Sequence, residues 1–288
     1  MNDFVIFTDS ACDISEELLN EWGVKYISLT YSFNDSPKLY GNYEIPSPEF
    51  YQKMRDGGVA KTAAINISTF EKTFEDLLKD GLDVIYVGFS SGLSSTVQAA
   101  EVAAKVLSEK YPERKIKVID TLAASAGQGL LLYMAVKAKA AGASFDEVAA
   151  VVEDNKLKLA HWFTVDDLVY LKRGGRVSAV SAFVGGMLGI KPVLHVDNDG
   201  HLIAMQKVRG RKTSIRTMAD KYSETAEDPK SGTVFISHGD CIDDARALAK
   251  MVEDEHGVKT EIITYVGPVI GAHSGPGTLA LFFIAKER

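Results

Sequence analysis

The sequence predicts an α/β protein of two domains, an N-terminal, mostly parallel sheet with helices on both faces and a C-terminal mixed α/β domain. Three observations carry this. Through the first half, short apolar runs alternate with amphipathic stretches, the pattern of strand–helix–strand units. Beyond Leu159 two strand-like runs are joined by Asn198-Asp199-Gly200, a good hairpin turn, and are then mixed with crossover elements. A length of 288 residues, 46% hydrophobic and 25% charged, suits one large or two medium globular units with a sizeable core. No linker, low-complexity segment or clear repeat separates the halves. The boundary is expected near residue 160, giving a Rossmann-like domain over 1–160 and a second α/β domain over 161–288.

The elements follow in order. Asp3–Thr8 reads as a buried strand. It ends in a polar cluster containing Asp9 and Asp13, suited to a turn or to a metal. Ile14–Gly23 is a helix capped by Ser15, and Lys25–Phe33 is a second strand. Asn34–Ser47 is irregular, Pro48–Asp56 helical, and Gly57–Ser68 a loop holding Thr62. Ser68 opens an amphipathic helix with Phe70, Phe74, Leu77 and Leu78 at core spacing. Val84–Val87 is a strand, and a helix runs from about Leu93 to Tyr111. Ile116–Asp120 is a strand, followed by a small polar loop, an Ala- and Leu-rich helix to about Ala141, and a helix over Phe145–Leu159. In the second half, His161–Val165, Ile190–Val196, His201–Val208, Thr233–Ser237 and Lys259–Thr264 are strands. Asp166–Lys172 and Asp243–Glu255 are helices.

Net charge of −7 argues against general nucleic-acid binding, which needs a broad basic surface. Cys12 and Cys241 make neither a disulfide framework nor a zinc spacing, which fits a reducing cytoplasm. The acidic start shows no signal peptide, and no apolar run approaches the length of a membrane span. There is no Walker A loop, no Rossmann glycine fingerprint after the first strand, no His-Glu-x-x-His and no Gly-x-Ser-x-Gly.

Four stretches carry chemistry. The turn from Gly88 to Thr96 places Ser90, Ser91, Ser94, Ser95 and Thr96 at a helix start, either as plain capping or as a cradle for a carboxylate or phosphate. Lys172-Arg173-Gly174-Gly175-Arg176 puts two glycines between two arginines, so that both guanidiniums can turn to one side. It suits an anion or a solvated basic turn. Arg209-Gly210-Arg211-Lys212 is a second basic cluster. Gly267–Thr278 is dense in Gly and Pro, fixes a tight irregular path and holds His273, a hydrogen-bond donor that titrates near neutrality. Between them, Ser178–Gly189 is small and apolar, a cavity wall or plain core.

Taken together, Thr8-Asp9-Ser10 with Asp13, Ser90–Ala100, Leu171–Arg176, Ile190-Lys191-Pro192 and Gly267–Gly277 resemble the DegV family, in family order over nearly the whole chain. The resemblance implies a two-domain fatty-acid-binding protein with the lipid between the domains. It would be the lipid-carrying subunit of the bacterial two-component fatty-acid kinase and would lack complete catalytic machinery. It implies a long-chain ligand such as palmitate, stearate or oleate, no cofactor and no metal. A separate ATP-binding kinase subunit would make the acyl phosphate for phospholipid synthesis, and lipid exchange leaves room for peripheral membrane contact. By position, Thr62, Ser94, Ser95, His273, Arg173 and Arg176 would hold the carboxylate, and Arg209 would dock the kinase. Phe183, Met187, Leu188 and Ile270 would line the tunnel. Two positions depart from the family pattern: Ala63–Asn66 lacks its usual serine and proline, and Ser95 replaces a glycine. The rival reading is a hydrolase or phosphotransferase acting on a small anion, using Ser94 or the Asp9/Asp13 pair with His273 and a divalent metal.

Overall fold

The computed structural model describes residues 3–176 and 189–288. The chain opens with β1 (Phe4–Asp9), buried along nearly its whole length. A single 3₁₀ turn leads to α1 (Glu16–Glu21), whose first turn is capped by Ser15 Oγ accepting from Leu18 N–H. β2 (Lys25–Ile27) lies parallel to β1. The strand expected over Lys25–Phe33 is two strands. At Leu29 the backbone N–H donates to Ser10 Oγ, and Ser28 Oγ accepts from Asn42 N–H. These bonds draw the chain out of the main sheet. Beyond them β3 (Thr30–Phe33) pairs antiparallel with β4 (Tyr40–Gly41) in a separate small sheet.

After α2 (Ser47–Arg55), the presumed loop contains β5 (Ala60–Ala63), the other partner of β3, with Thr62 opposite Tyr31. α3 (Ile67–Lys79) is capped by Asn66, not Ser68, whose hydroxyl donates to the Asn66 side chain instead. β6 (Asp83–Gly88), α4 (Thr96–Lys110) and β7 (Ile116–Asp120) complete a four-stranded parallel sheet in the order β2-β1-β6-β7. α5 (Ala126–Ala140) and α6 (Phe145–Asn155) follow. α5 has no polar stripe over its first two turns: Ala126 to Leu132 are all buried. Its one polar side chain there, Gln128, is buried too and donates to Thr8, Asp9 and Val87, so the helix belongs inside a core. Here it packs on β1 and β6 on one side and on strands of the second sheet on the other.

That second sheet contains β8 (Leu159–Thr164), which leads to α7 (Val169–Arg173). It continues with β9 (Ile190–Val196) and β10 (Leu202–Arg209), paired antiparallel as the expected hairpin. α8 (Arg211–Thr225), β11 (Val234–His238), α9 (Ile242–His256) and β12 (Thr260–Tyr265) come next. The Gly/Pro stretch is helical over α10 (Pro268–Ser274), because Pro268 takes the first helical position, where a missing N–H costs nothing. The chain then forms β13 (Leu279–Ile284), an element absent from the sequence reading. It lies in the middle of the sheet, whose order is β10-β9-β8-β13-β11-β12. Only β11 and β12 run parallel to each other. The two sheets share one core in which Leu130 and Leu131 of α5 meet Phe163, Phe235 and Phe282. Arg288 ties the halves further by donating to the carbonyls of Leu159 at 3.0 Å and Leu122 at 2.7 Å. No described helix is long and apolar enough to cross a membrane.

Candidate functional site

Where the two halves meet lies a cavity with about 950 Å³ of empty space, its open mouth included. Among the described residues its wall is mainly apolar, with Phe89, Phe163, Leu171, Val196, Val269 and Phe282 drawn from both sheets and their helices. Thr62, Ser94, Ser95, Arg176, Ile270 and His273 also line it. Residues distant in the chain are thus brought to one space.

The tightest polar pair is Thr62 with His273. Thr62 Oγ1 and His273 Nε2 are 2.8 Å apart, although 211 positions separate them in the sequence. β5 presents Thr62, and the last turn of α10 presents His273. Burial, and then the nearby Arg176 charge, lower the imidazole to about 4, so it is neutral at pH 7. Its Nδ1 has no hydrogen-bond partner among the described residues. That nitrogen lies against Gly174, where an added Cβ would come within 2.2 Å of it.

Ser94 is occupied differently. Its Oγ lies 2.8 Å from Thr96 Oγ1 and accepts from Thr96 N–H at 3.2 Å. It lies just ahead of α4, which begins at Thr96 and not at Leu93, with Ser95 in the cap position. The glycines of this loop allow close packing. A Cβ at Gly92 would come within 2.6 Å of Asp199 O, and one at Gly88 would strike the Tyr86 ring. Ser90 Oγ donates to Gly200 O, so the loop is docked on the β9–β10 turn.

The two arginines part. Arg176 reaches the cavity, donating from Nε to Leu93 O at 3.2 Å and from Nη1 to Gly174 O at 2.6 Å. Arg173 ends α7 with its guanidinium over the Tyr170 ring and does not line the cavity. The left-handed turn at Gly175 sends the two side chains different ways. Arg209 is exposed at the end of β10 and also lies away from the cavity. Phe183, Met187 and Leu188, with the rest of the apolar stretch preceding Gly189, fall outside the described residues.

The groups of the rival reading do not assemble. Ser94 is bonded to Thr96 and His273 to Thr62, so no nucleophile–base pair forms between them. Asp9 is fully engaged, accepting from Ala11 and Phe89 N–H, the Tyr86 hydroxyl and the Gln128 amide. Among the described residues, Asp9, Asp13 and His273 do not gather as a metal-ligand set.

Sequence reasoning missed the hydroxyls of Ser125, Ser237 and Ser274, which also line the cavity. Ser237 stands near the end of β11 and Ser125 at the end of the loop that follows β7, as the cap residue of α5, on the edge at which open α/β sheets place their sites. That position was the available signal. Ser125 Oγ donates to Asp13 Oδ2 at 2.5 Å and lies 3.0 Å from Ser237 Oγ.

Burial pushes the Asp13 carboxyl up to about 8; the Ser125 hydroxyl opposes this and the Asp9 charge adds to it. Between about pH 4 and 8 the folded state then holds a proton that the unfolded chain has released, so stability falls as pH rises. Histidines held neutral by burial, His195 at about 4 among them, act oppositely but only below about pH 6.5. From pH 6.5 to 8 the wild type is expected to lose about 1–2 kcal/mol by urea unfolding. Asp13→Asn is expected to reduce that loss, and an unchanged slope would refute the assignment.

The fold and cavity define an α/β protein of two main sheets and one small one, enclosing an apolar chamber with a small polar group of hydroxyls and a neutral histidine in its wall. The family model for DegV, described as "Uncharacterised protein, DegV family", matches residues 3–286, and this chain belongs to the DegV family. A DegV domain-containing protein of Clostridium perfringens is 41% identical over 289 residues, covering 100% of this chain and 99% of its own. Among solved structures, a DegV family protein from Thermus thermophilus, described by its fatty acid binding, superposes with a TM-score of 0.88 at 30% identity. It covers 99% of this chain and 100% of its own. A stearic-acid-binding protein from Eubacterium ventriosum matches with a TM-score of 0.88 at 27% identity, over 98% of both chains. DegV of Bacillus subtilis, a fatty acid binding protein, gives 0.83 at 25% identity, over 99% of this chain and 100% of its own.

Proposed function

We propose that this protein binds a long-chain fatty acid in the cavity and presents its carboxylate to a separate ATP-dependent kinase subunit, giving an acyl phosphate for phospholipid synthesis. The observation that carries the reading is the Thr62–His273 pair in the wall of an otherwise apolar chamber. A fatty acid needs that combination. Each methylene leaving water contributes about 0.8 kcal/mol, so a long alkyl chain supplies most of the gross affinity. The carboxylate must meet donors, or burying it would cost more than the chain gains. Thr62, Ser94, Ser95 and His273 are the donors assigned to it, with Arg176 providing the charge. Arg173, standing outside the cavity, is a weaker member of that set. Arg209, exposed and apart, is left for docking the kinase. The two domains divide near residue 160, and their junction encloses the alkyl chain. Fatty acids named for the family's solved structures support the ligand class; the kinase partnership rests on the motif resemblance.

Purified protein, denatured, extracted and analysed by mass spectrometry, is expected to yield about one fatty acid per chain. Absence of lipid, together with no thermal shift on adding long-chain acids, would overturn the reading.

A further inference from the structure

A chamber meant for a bare alkyl chain needs no hydroxyls away from its carboxylate-binding group. Among the described residues, four hydroxyls outside the assigned carboxylate set line this one, those of Ser125, Ser237, Ser274 and Thr278; Thr278 donates to Gly275 O, and two of the others are costly. Ser125 takes φ 54° and ψ −148°, a conformation that strains any residue with a side chain. Ser237 is fully buried on β11, among strand neighbours Phe235 and Ile236 that are plain core. The two serines come from opposite halves of the protein, and their hydroxyls meet at 3.0 Å at the cavity wall.

Proton counting shows what they offer. With Asp13 ionised, the single Ser125 O–H is committed to Asp13 Oδ2, and Ser237 then donates to Ser125 and keeps a free acceptor. With Asp13 protonated and donating to Ser125, Ser125 donates to Ser237, whose own O–H is left free. Ser274, only 6% exposed and also lining the cavity, has a hydroxyl with no partner among the described residues. A buried hydroxyl without a partner costs stability unless something arrives to satisfy it. Nothing in an unsubstituted alkyl chain would do so; a hydroxyl, which both donates and accepts, would.

We propose that the cavity selects a hydroxy fatty acid, an acyl chain bearing an O–H part-way along, through Ser125, Ser237 and Ser274. The inference rests on the fatty-acid reading above and names its ligand more narrowly. The test is displacement of a bound fluorescent fatty acid by stearic acid and by monohydroxystearic acids differing in hydroxyl position. At least one positional isomer is expected to match or exceed stearic acid. In Ser237→Ala and Ser274→Ala, measured separately, the affinity ratio of that isomer to stearic acid is expected to fall about tenfold. Thr62→Ala is expected to weaken both acids and leave the ratio alone. Because Ser237→Ala disturbs the Asp13 network, Ser274→Ala serves as the variant least prone to misfolding. If stearic acid binds and every hydroxy isomer binds far more weakly, or if both serine variants keep the wild-type ratio, this inference falls while the fatty-acid reading stands. If neither acid binds the wild type, the fatty-acid reading falls, and this inference with it.

Discussion

Gly174→Ala is expected to weaken fatty-acid binding about ten- to hundredfold, as much as His273→Ala. Nothing local predicts this. Gly174 has φ −72° and ψ −13° at the end of α7, an ordinary conformation that alanine adopts readily. The effect comes from the third dimension, because an added Cβ would lie 2.2 Å from His273 Nδ1. The ring must move, and moving it breaks the 2.8 Å contact with Thr62 Oγ1. A hydrogen bond to a charged group is worth about 1.5–3 kcal/mol, which sets the expected range. Titration with stearic acid measures it. The two substitutions act on one interaction, so the double variant should be no weaker than either single one. Full affinity in Gly174→Ala would remove His273 from the site.

The largest stability effect is expected at Gly127. In an ordinary helix interior, glycine to alanine stabilises by about 1 kcal/mol. In α5 the sign should reverse, with a loss of about 2–3 kcal/mol in urea unfolding, typical of overpacking. A Cβ there would come within 2.3 Å of His161 Nε2 and 2.8 Å of Phe282 Cδ1. Those atoms belong to β8 and β13, so the glycine sets how closely α5 approaches the second sheet. A midpoint equal to or above that of wild type would show that α5 has room to spare.

Much of the fold was legible in the sequence because it is written locally. The β1 and β6 runs are continuous and apolar, and Ser15 caps α1 from within its own turn. The errors arise where distant groups decide. The break between β2 and β3 depends on Ser10 and Asn42, which no window around Ser28 contains. α10 hides behind glycines used for close approach; a Cβ at Gly271 would meet the Tyr51 hydroxyl at 2.5 Å. β13 is legible locally, since Leu279–Ile284 is a clean apolar run directly after the Gly/Pro stretch. For the site, motif resemblance brought forward Thr62, Ser94 and His273, all of which line one cavity. It had no means of separating Arg173 from Arg176, because one left-handed residue, Gly175, sends them apart. Ser125 and Ser237 escaped because their partnership with Asp13 spans 112 positions in each case of contact through Ser125.

The place of β13 has a consequence for how the chain is made. β8 and β11 pair with it on either side, yet it is the last strand of the sheet to be synthesised. Until Leu279–Ile284 leaves the ribosome, the sheet stands open at its centre, with two unpaired edges and one flank of α5 uncovered. Such edges are templates for other chains, and pairings so distant in sequence form slowly. The nascent chain therefore carries its greatest risk of aggregation in the interval between the emergence of β8 and β11 and that of β13.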